Sequence, residues 1–298
     1  MHVHTVIILL LLCFISAGVY GDDTDVPAPA VLVLHTKTDF EDDLASDSVL
    51  GPLTQAHKLL FAQMDQSVNL EFTSLARADR LLQKSQPVCA LFRRKTLSRQ
   101  QAYLFSLPIA FGISHALYQQ ALSAPIDRRF LNEQGEVMSL SALFDARPHE
   151  NIVVIANASY GNALDNHIAA INADQKALRY AADVNNSQAK MLAKGRATFA
   201  LLTPAEEAAH RQQYGPQNFR VYTIEGVPKL AKAHVMCNRQ PASRRYIAQI
   251  NRALEAVYTA PTMHQAYQQT HSESHWGIIR SALQEYSNQA RVTSLVEP

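Results

Sequence analysis

Apolar and polar positions along this chain switch repeatedly between a period near two and a period near 3.6, and each switch marks an element. Val31-Leu32-Val33-Leu34 reads as a short buried strand. Leu53, Ala56, Leu59, Leu60 and Met64 recur at helical spacing, so residues 53–64 read as a helix. Val68 to Phe72 alternates like a strand, Leu75 to Leu82 returns to helical spacing, and Val88 to Phe92 reads as another buried strand. Up to that point the order is βαβαβ. The next stretch differs: Phe105-Ser106-Leu107-Pro108 cannot lie within a helix, because Pro108 lacks the N–H a helix needs. It reads as an extended crossover.

A second alternating set follows. Ser114 to Tyr118 is extended and Leu140 to Phe144 a short helix. Ile152 to Ala156 is a strand, with a helix after it from Asn162 to Ile171. Leu178 to Tyr180 is a weak strand; Ser187 to Lys194 is a helix stopped at Gly195. Phe199 to Leu202 is a strand, and Pro204 opens a helix through His210. Strands at Arg220–Ile224 and His234–Cys237 precede a helical tail over 243–258, 263–270 and 276–290. The fold class is therefore α/β, with two lobes joined by two extended crossovers. Ligands of open α/β sheets sit beyond the carboxyl ends of strands, so two such edges facing each other make a cleft.

The amino terminus stands apart from this pattern. Val6 to Ile15 is an unbroken apolar run, too short for a bilayer span of ~20 residues, and small residues lead from it to Asp22-Asp23. Residues 1–21 therefore read as a secretory signal peptide with cleavage after Gly21, although its start carries His2 and His4 rather than Lys or Arg. Attachment of lipid at Cys13 is disfavoured by the large neighbours on both sides. Export places the mature chain in the periplasm, soluble, and a monomer is expected. The lobes are expected at 22–112 plus 226–298 and at 113–225.

The net charge is +1, from 27 basic and 26 acidic residues, which excludes an electrostatic nucleic-acid binder. Cys89 and Cys237 remain after signal removal; in an oxidising compartment they form either one disulfide or two buried thiols, and no CxxC pair suggests zinc or redox chemistry. His271 and His275 flank Glu273 at metal-ligand spacing, but a third ligand is lacking, so no metal and no cofactor is expected.

Three places are candidates for a site. Asn157-Ala158-Ser159-Tyr160-Gly161 joins a strand to a helix, where exposed N–H groups and the Ser159 hydroxyl could grip a carboxylate or phosphate, or simply cap the helix. The same residues approximate the G-x-S-x-G elbow of serine hydrolases, with Ser159 as nucleophile and Asp183 plus His210 or His234 as partners. Asn157 in place of the first glycine and only ten glycines in the chain weigh against this, and the chain is expected not to be an enzyme. The run Arg93-Arg94-Lys95-Thr96-Leu97-Ser98-Arg99 follows a core strand at its carboxyl end, as a solvated loop or as a carboxylate clamp; its position favours the clamp for Arg99.

Together these motifs resemble the extracytoplasmic solute-binding proteins of family 3, with the type II periplasmic binding fold. The carrying residues are Ser74 to Leu82, Thr96-Leu97-Ser98-Arg99 and Phe105-Ser106-Leu107-Pro108. Ser139 to Leu143 and the strand to Ser159, Lys194-Gly195-Arg196 to Leu202, and His234 to Arg239 with the helix to Leu254 complete it. The likeness covers about residues 30–260. It implies capture of a small solute by hinge closure near 110–114 and 226–232, for a membrane permease or a sensor kinase. It implies that Arg99 holds a ligand carboxylate, that Phe92 and Arg93 line the first lobe's wall, and that Ser159 donates from the second, beside Asn157, Tyr160 and Thr203. It also pairs strand 88–92 with strand 234–237, making a Cys89–Cys237 disulfide plausible. The family's ammonium-binding acid falls on Thr203, and the D of its G-R-x-D-A segment on Thr198, with no acidic replacement; an acidic or neutral ligand rather than an amino acid is expected, and a carboxylate-bearing solute above the others. The rival is an accessory interaction protein that has lost solute uptake.

Overall fold

The computed structural model describes residues 31–48, 50–64, 68–180 and 187–296. The expected signal peptide lies outside them. Strand β1 (Leu32–His35) leads through helices α1 (Phe40–Ala45) and α2 (Pro52–Ala62) to β2 (Asn69–Phe72), α3 (Leu75–Leu81) and β3 (Val88–Arg93). Helix α4 (Leu97–Ala102) and strand β4 (Leu104–Phe105) follow, then β5 (Ala110–Ile113) and β6 (Ala116–Gln120). The chain continues through α5 (Leu140–Asp145), β7 (Ile152–Ile155), α6 (Asn162–Ala169), β8 (Lys176–Arg179), α7 (Ser187–Ala193), β9 (Phe199–Leu202), α8 (Pro204–Tyr214) and β10 (Phe219–Tyr222). Strand β11 (Leu230–Cys237) precedes α9 (Pro241–Thr259), α10 (Pro261–Thr270) and α11 (Glu273–Val296).

The strands form two sheets among the described residues. One has the order β2-β1-β3-β11-β4 with β5 on β11; the other has the order β10-β6-β9-β7-β8. The βαβ units explain why β1, β2 and β3 are parallel, and β11, returning from the second sheet, runs antiparallel to β3. The crossovers meet as a ribbon: β5 pairs antiparallel with the first half of β11, Leu230 opposite Ile113 and Ala233 opposite Ala110. Ser114 N donates to Lys229 O at 2.9 Å and extends this ladder toward the second lobe.

Each sheet is buried on both faces. In the first, Val33, Leu91 and Val235 meet Leu60 of α2 and Ile250, Leu254 and Val257 of α9, while Leu34, Ala90 and Met236 face α3. Helix α11 closes this side with Ile279, Leu283 and Ala290. In the second, Ile152, Val154 and Phe199 pack on Leu140, Phe144 and Leu164, and Val153 and Ala200 on Ala189 and Leu192. Cys89 and Cys237 occupy facing register positions on β3 and β11 and are joined by a disulfide.

Several elements depart from the sequence reading. Helix α1 has one buried residue, Phe40, and an acidic first turn, too faint a pattern to predict. The run 93–99 is loop only at 94–96. Arg93 ends β3, and Thr96 accepts from Arg99 N at 3.3 Å to start α4. A β-branched cap followed by polar residues carries little hydrophobic periodicity, so the helix was hidden.

Candidate functional site

The site begins with an irregularity in β3. Between Ala90 and Arg93 the ladder to β11 shifts register, so three steps on β3 match two on β11. Phe92 takes up the extra residue at φ +61°, a left-handed conformation that an aromatic residue rarely adopts. The bulge re-aims the strand end. Phe92 meets Phe40 and His57 with ring centroids at 5.1 and 5.0 Å, and both Phe92 and Arg93 line the space between the lobes.

That space is a cavity of about 360 Å³. The first lobe contributes Lys37, Leu53, Phe92, Arg93, Arg94 and Arg99; the second contributes His115, Ile155, Ala158, Ser159 and Tyr160. Among the described residues no Asp or Glu lines it. Thr203 opens onto an adjoining cavity of about 240 Å³, which shares Phe92 and Arg94. A larger gap of about 680 Å³ runs along the hinge ribbon and shares Arg94 and Tyr160. Asn157, exposed and at φ +63°, is outside the linings of all three.

The three arginines differ in their partners. Arg99 donates from Nη1 to Arg94 O at 3.2 Å, which holds its guanidinium along the end of β3. Arg94 donates to Lys232 O at 3.3 Å; burial pushes its pKa down, opposed by Glu206 and Asp165 from the second lobe. Arg93 is 2% exposed, and Nη1 lies 3.4 Å from Asp79 Oδ1. Its Nε and Nη2 are buried without a hydrogen-bond partner among the described residues. Burial lowers its pKa, with Asp79 opposing and Arg99 adding to the shift.

The second lobe's loop is already satisfied. Ser159 Oγ donates to Asp165 Oδ2 at 2.5 Å and accepts from Gly161 N at 3.2 Å, while Tyr160 N donates to Asp165 Oδ1 at 2.7 Å. The carboxylate of α6's own first turn thus occupies the anion position expected for a ligand. Tyr160 Oη accepts from Ile155 N at 2.9 Å and from Gln188 at 3.1 Å, and its ring meets His115 edge-on at 4.8 Å. Among the described residues neither histidine of the hydrolase alternative bonds Ser159. The Ser159 hydroxyl faces a carboxylate, His234 bonds Ser106 O at 2.9 Å, and His210 packs on Tyr214. Asp183 lies outside the described residues.

Thr203 corrects another expectation. It caps α8 in a capping box: Glu206 N donates to its Oγ1 at 3.2 Å, and Glu206 Oε2 accepts from Thr203 N at 2.7 Å. A carboxylate therefore does stand beside the end of β9, supplied three residues later, and burial raises its pKa against the pull of Thr203 and Arg94. It is committed to the cap. His115, 3.7 Å from it, is held neutral, its pKa lowered to about 3 by burial and Arg94.

No family model matches the sequence, and no curated protein does. Solved structures do. An ancestral arginine-binding protein bound to glutamine is 15% identical with a TM-score of 0.55, covering 83% of this chain and 100% of its own. The fold is that of a two-lobed solute-binding protein. A substrate-binding protein of an ABC uptake transporter from Streptococcus pneumoniae, with bound histidine, is 12% identical with a TM-score of 0.54, over 83% of this chain and 94% of its own. A Salmonella typhimurium periplasmic binding protein of high arginine specificity is 13% identical with a TM-score of 0.52, over 82% and 100%. At these identities the likeness is one of fold, and the solute-binding fold matches the architecture that the motif order implied. Among the described residues no helix is long and apolar enough to cross a membrane.

Proposed function

We propose that this chain is an exported, non-enzymatic solute-binding protein. It captures a small carboxylate-bearing solute between its lobes. The observation that carries this is the interlobe cavity, where Arg93, Arg94 and Arg99 stand with no lining carboxylate. Arg99 takes the ligand carboxylate through the nitrogens not bound to Arg94 O. Phe92 packs on the ligand's apolar part, with Ser159 and Tyr160 as the facing wall and Thr203 on the adjoining cavity.

The lobes part within the β5–β11 ribbon, 22–112 with 226–298 against 113–225. Bending of that ribbon lets the ligand favour the closed state. The fold neighbours include proteins of ABC uptake systems, which supports a periplasmic receptor serving a permease, or a sensor of the same architecture. A second reading, an accessory interaction protein, draws on one observation: Asp165 already fills the second lobe's donor loop.

Thermal unfolding against amino acids, organic acids, phosphates and peptides tests this. A ligand at 100 times its Kd adds about 2.7 kcal/mol of stability. A shift abolished by Arg99→Ala supports capture at this site; no shift with any compound favours the accessory protein.

A further inference from the structure

We infer that the solute is a small dicarboxylate, its second carboxylate held by Arg93. This rests on the proposed capture at Arg99 and adds a second anchor to it. Arg93 is almost wholly buried, yet among the described residues a single 3.4 Å contact to Asp79 is its ion pair, and the Asp79 side chain is 36% exposed. A guanidinium does not shed its proton under ordinary conditions, so burial leaves a cation short of counter-charge.

The geometry of the unpaired atoms is specific. Nε and Nη2 are the two buried nitrogens without partners, and they form one side-on edge of the guanidinium. A carboxylate fills such an edge with two parallel hydrogen bonds. Arg93 and Arg99 line the same cavity and feel each other's charge. Two adjacent cations, with no acidic group in the lining, match two anionic groups on one ligand. Glu206, the nearby carboxylate on α8, is taken up by Thr203, which leaves a ligand ammonium without a partner from that side.

Isothermal titration of the chain with succinate, glutarate and adipate, each against the monocarboxylate of equal chain length, tests the inference; glutamate and inorganic phosphate complete the panel. At least one dicarboxylate should bind roughly tenfold or more tighter than its monocarboxylate, the factor expected from one added charge-assisted pair. Arg93→Lys and Arg93→Met should bring the two within about threefold; Arg99→Met should weaken both. The comparison within the wild type stands even if an Arg93 variant folds poorly. Equal binding of both classes by the wild type, or a preference that survives both Arg93 variants, overturns the second anchor alone. Preference for phosphate also overturns the dicarboxylate; preference for glutamate, a dicarboxylate that carries an ammonium, overturns instead the reading that the site leaves an ammonium without a partner. Binding of no carboxylate overturns capture at Arg99 and the second anchor together.

Discussion

The ammonium of Lys232 donates a hydrogen bond to Tyr286 Oη at 2.8 Å and stands 5.0 Å from the centroid of the same ring. Lys232 belongs to the hinge ribbon, opposite Phe111, and Tyr286 to the last helix, where its ring also meets Phe111 at 5.3 Å. The last helix is thereby fastened to the ribbon proposed to bend on ligand capture. Tyr286→Phe keeps the ring contacts and loses the hydroxyl, so it should cost about 0.5–1 kcal/mol. Tyr286→Ala also loses the half-buried ring and should cost about 2–4 kcal/mol. Urea denaturation of the three chains gives both values; equal losses would mean that the ring contributes nothing.

The Cys89–Cys237 bridge closes a sequence separation of 148 residues, across the whole second lobe. Both cysteines are fully buried, so mild reductant should leave the native protein unchanged. In the chain-entropy picture a loop of this length is worth on the order of 5 kcal/mol, and measured bridges give about 2–4. Cys89→Ala with Cys237→Ala should lower stability within that range, and alkylation of the unfolded wild type without reductant should find no free thiol at either position. Two alkylated thiols would contradict the bridge.

The strands were legible because their residues are apolar on both faces: Ile152-Val153-Val154 has no other reading in a chain of this composition. The pairing of the crossovers was not legible, since Gly112 and Lys232 have no periodicity, and the resemblance paired only 88–92 with 234–237. Arg99 was placed by a motif. The bulge at Phe92 left no mark, because a left-handed aromatic residue has the same sequence signature as an ordinary one. Asp165 and Glu206 escaped notice for a related reason. Both lie in the first turn of the helix that follows, three to six residues beyond the residues they bind, so a loop read by itself shows vacant donors where the fold has already filled them.

Asp165 also determines what Ser159 can do. With its proton given to a carboxylate at 2.5 Å and its oxygen accepting Gly161 N, the hydroxyl braces the loop. Ser159→Ala should cost about 1–2 kcal/mol in urea denaturation, because one charged acceptor loses a donor in a partly exposed place. A fluorophosphonate probe should not label the wild type. Labelling that disappears in the variant would instead establish a nucleophile.

Three buried histidines should make the protein acid-sensitive above the range where carboxylates titrate. Burial lowers the pKa of His57 and His234 to about 4 and that of His115 to about 3, with Arg94 adding to the effect at His115. Unfolding returns each to about 6.5. The unfolded chain therefore binds more protons between these limits. The stabilising contribution is complete above pH 6.5 and is lost as pH falls toward about 4. Each histidine should contribute a slope approaching about 1.4 kcal/mol per pH unit below pH 6. His57 sits among Phe40, Phe61 and Phe92 and uses Nδ1 on Leu53 O at 2.7 Å, so His57→Phe keeps the aromatic packing while removing the titration. Urea midpoints at pH 7, 6 and 5 should show a falling stability whose slope shrinks in that variant by the share of one histidine, up to about 1.4 kcal/mol per pH unit. A flat profile from pH 7 to 5 in the wild type would mean that these imidazoles reach water in the native state, and that the walls of the cleft are looser than their packing indicates.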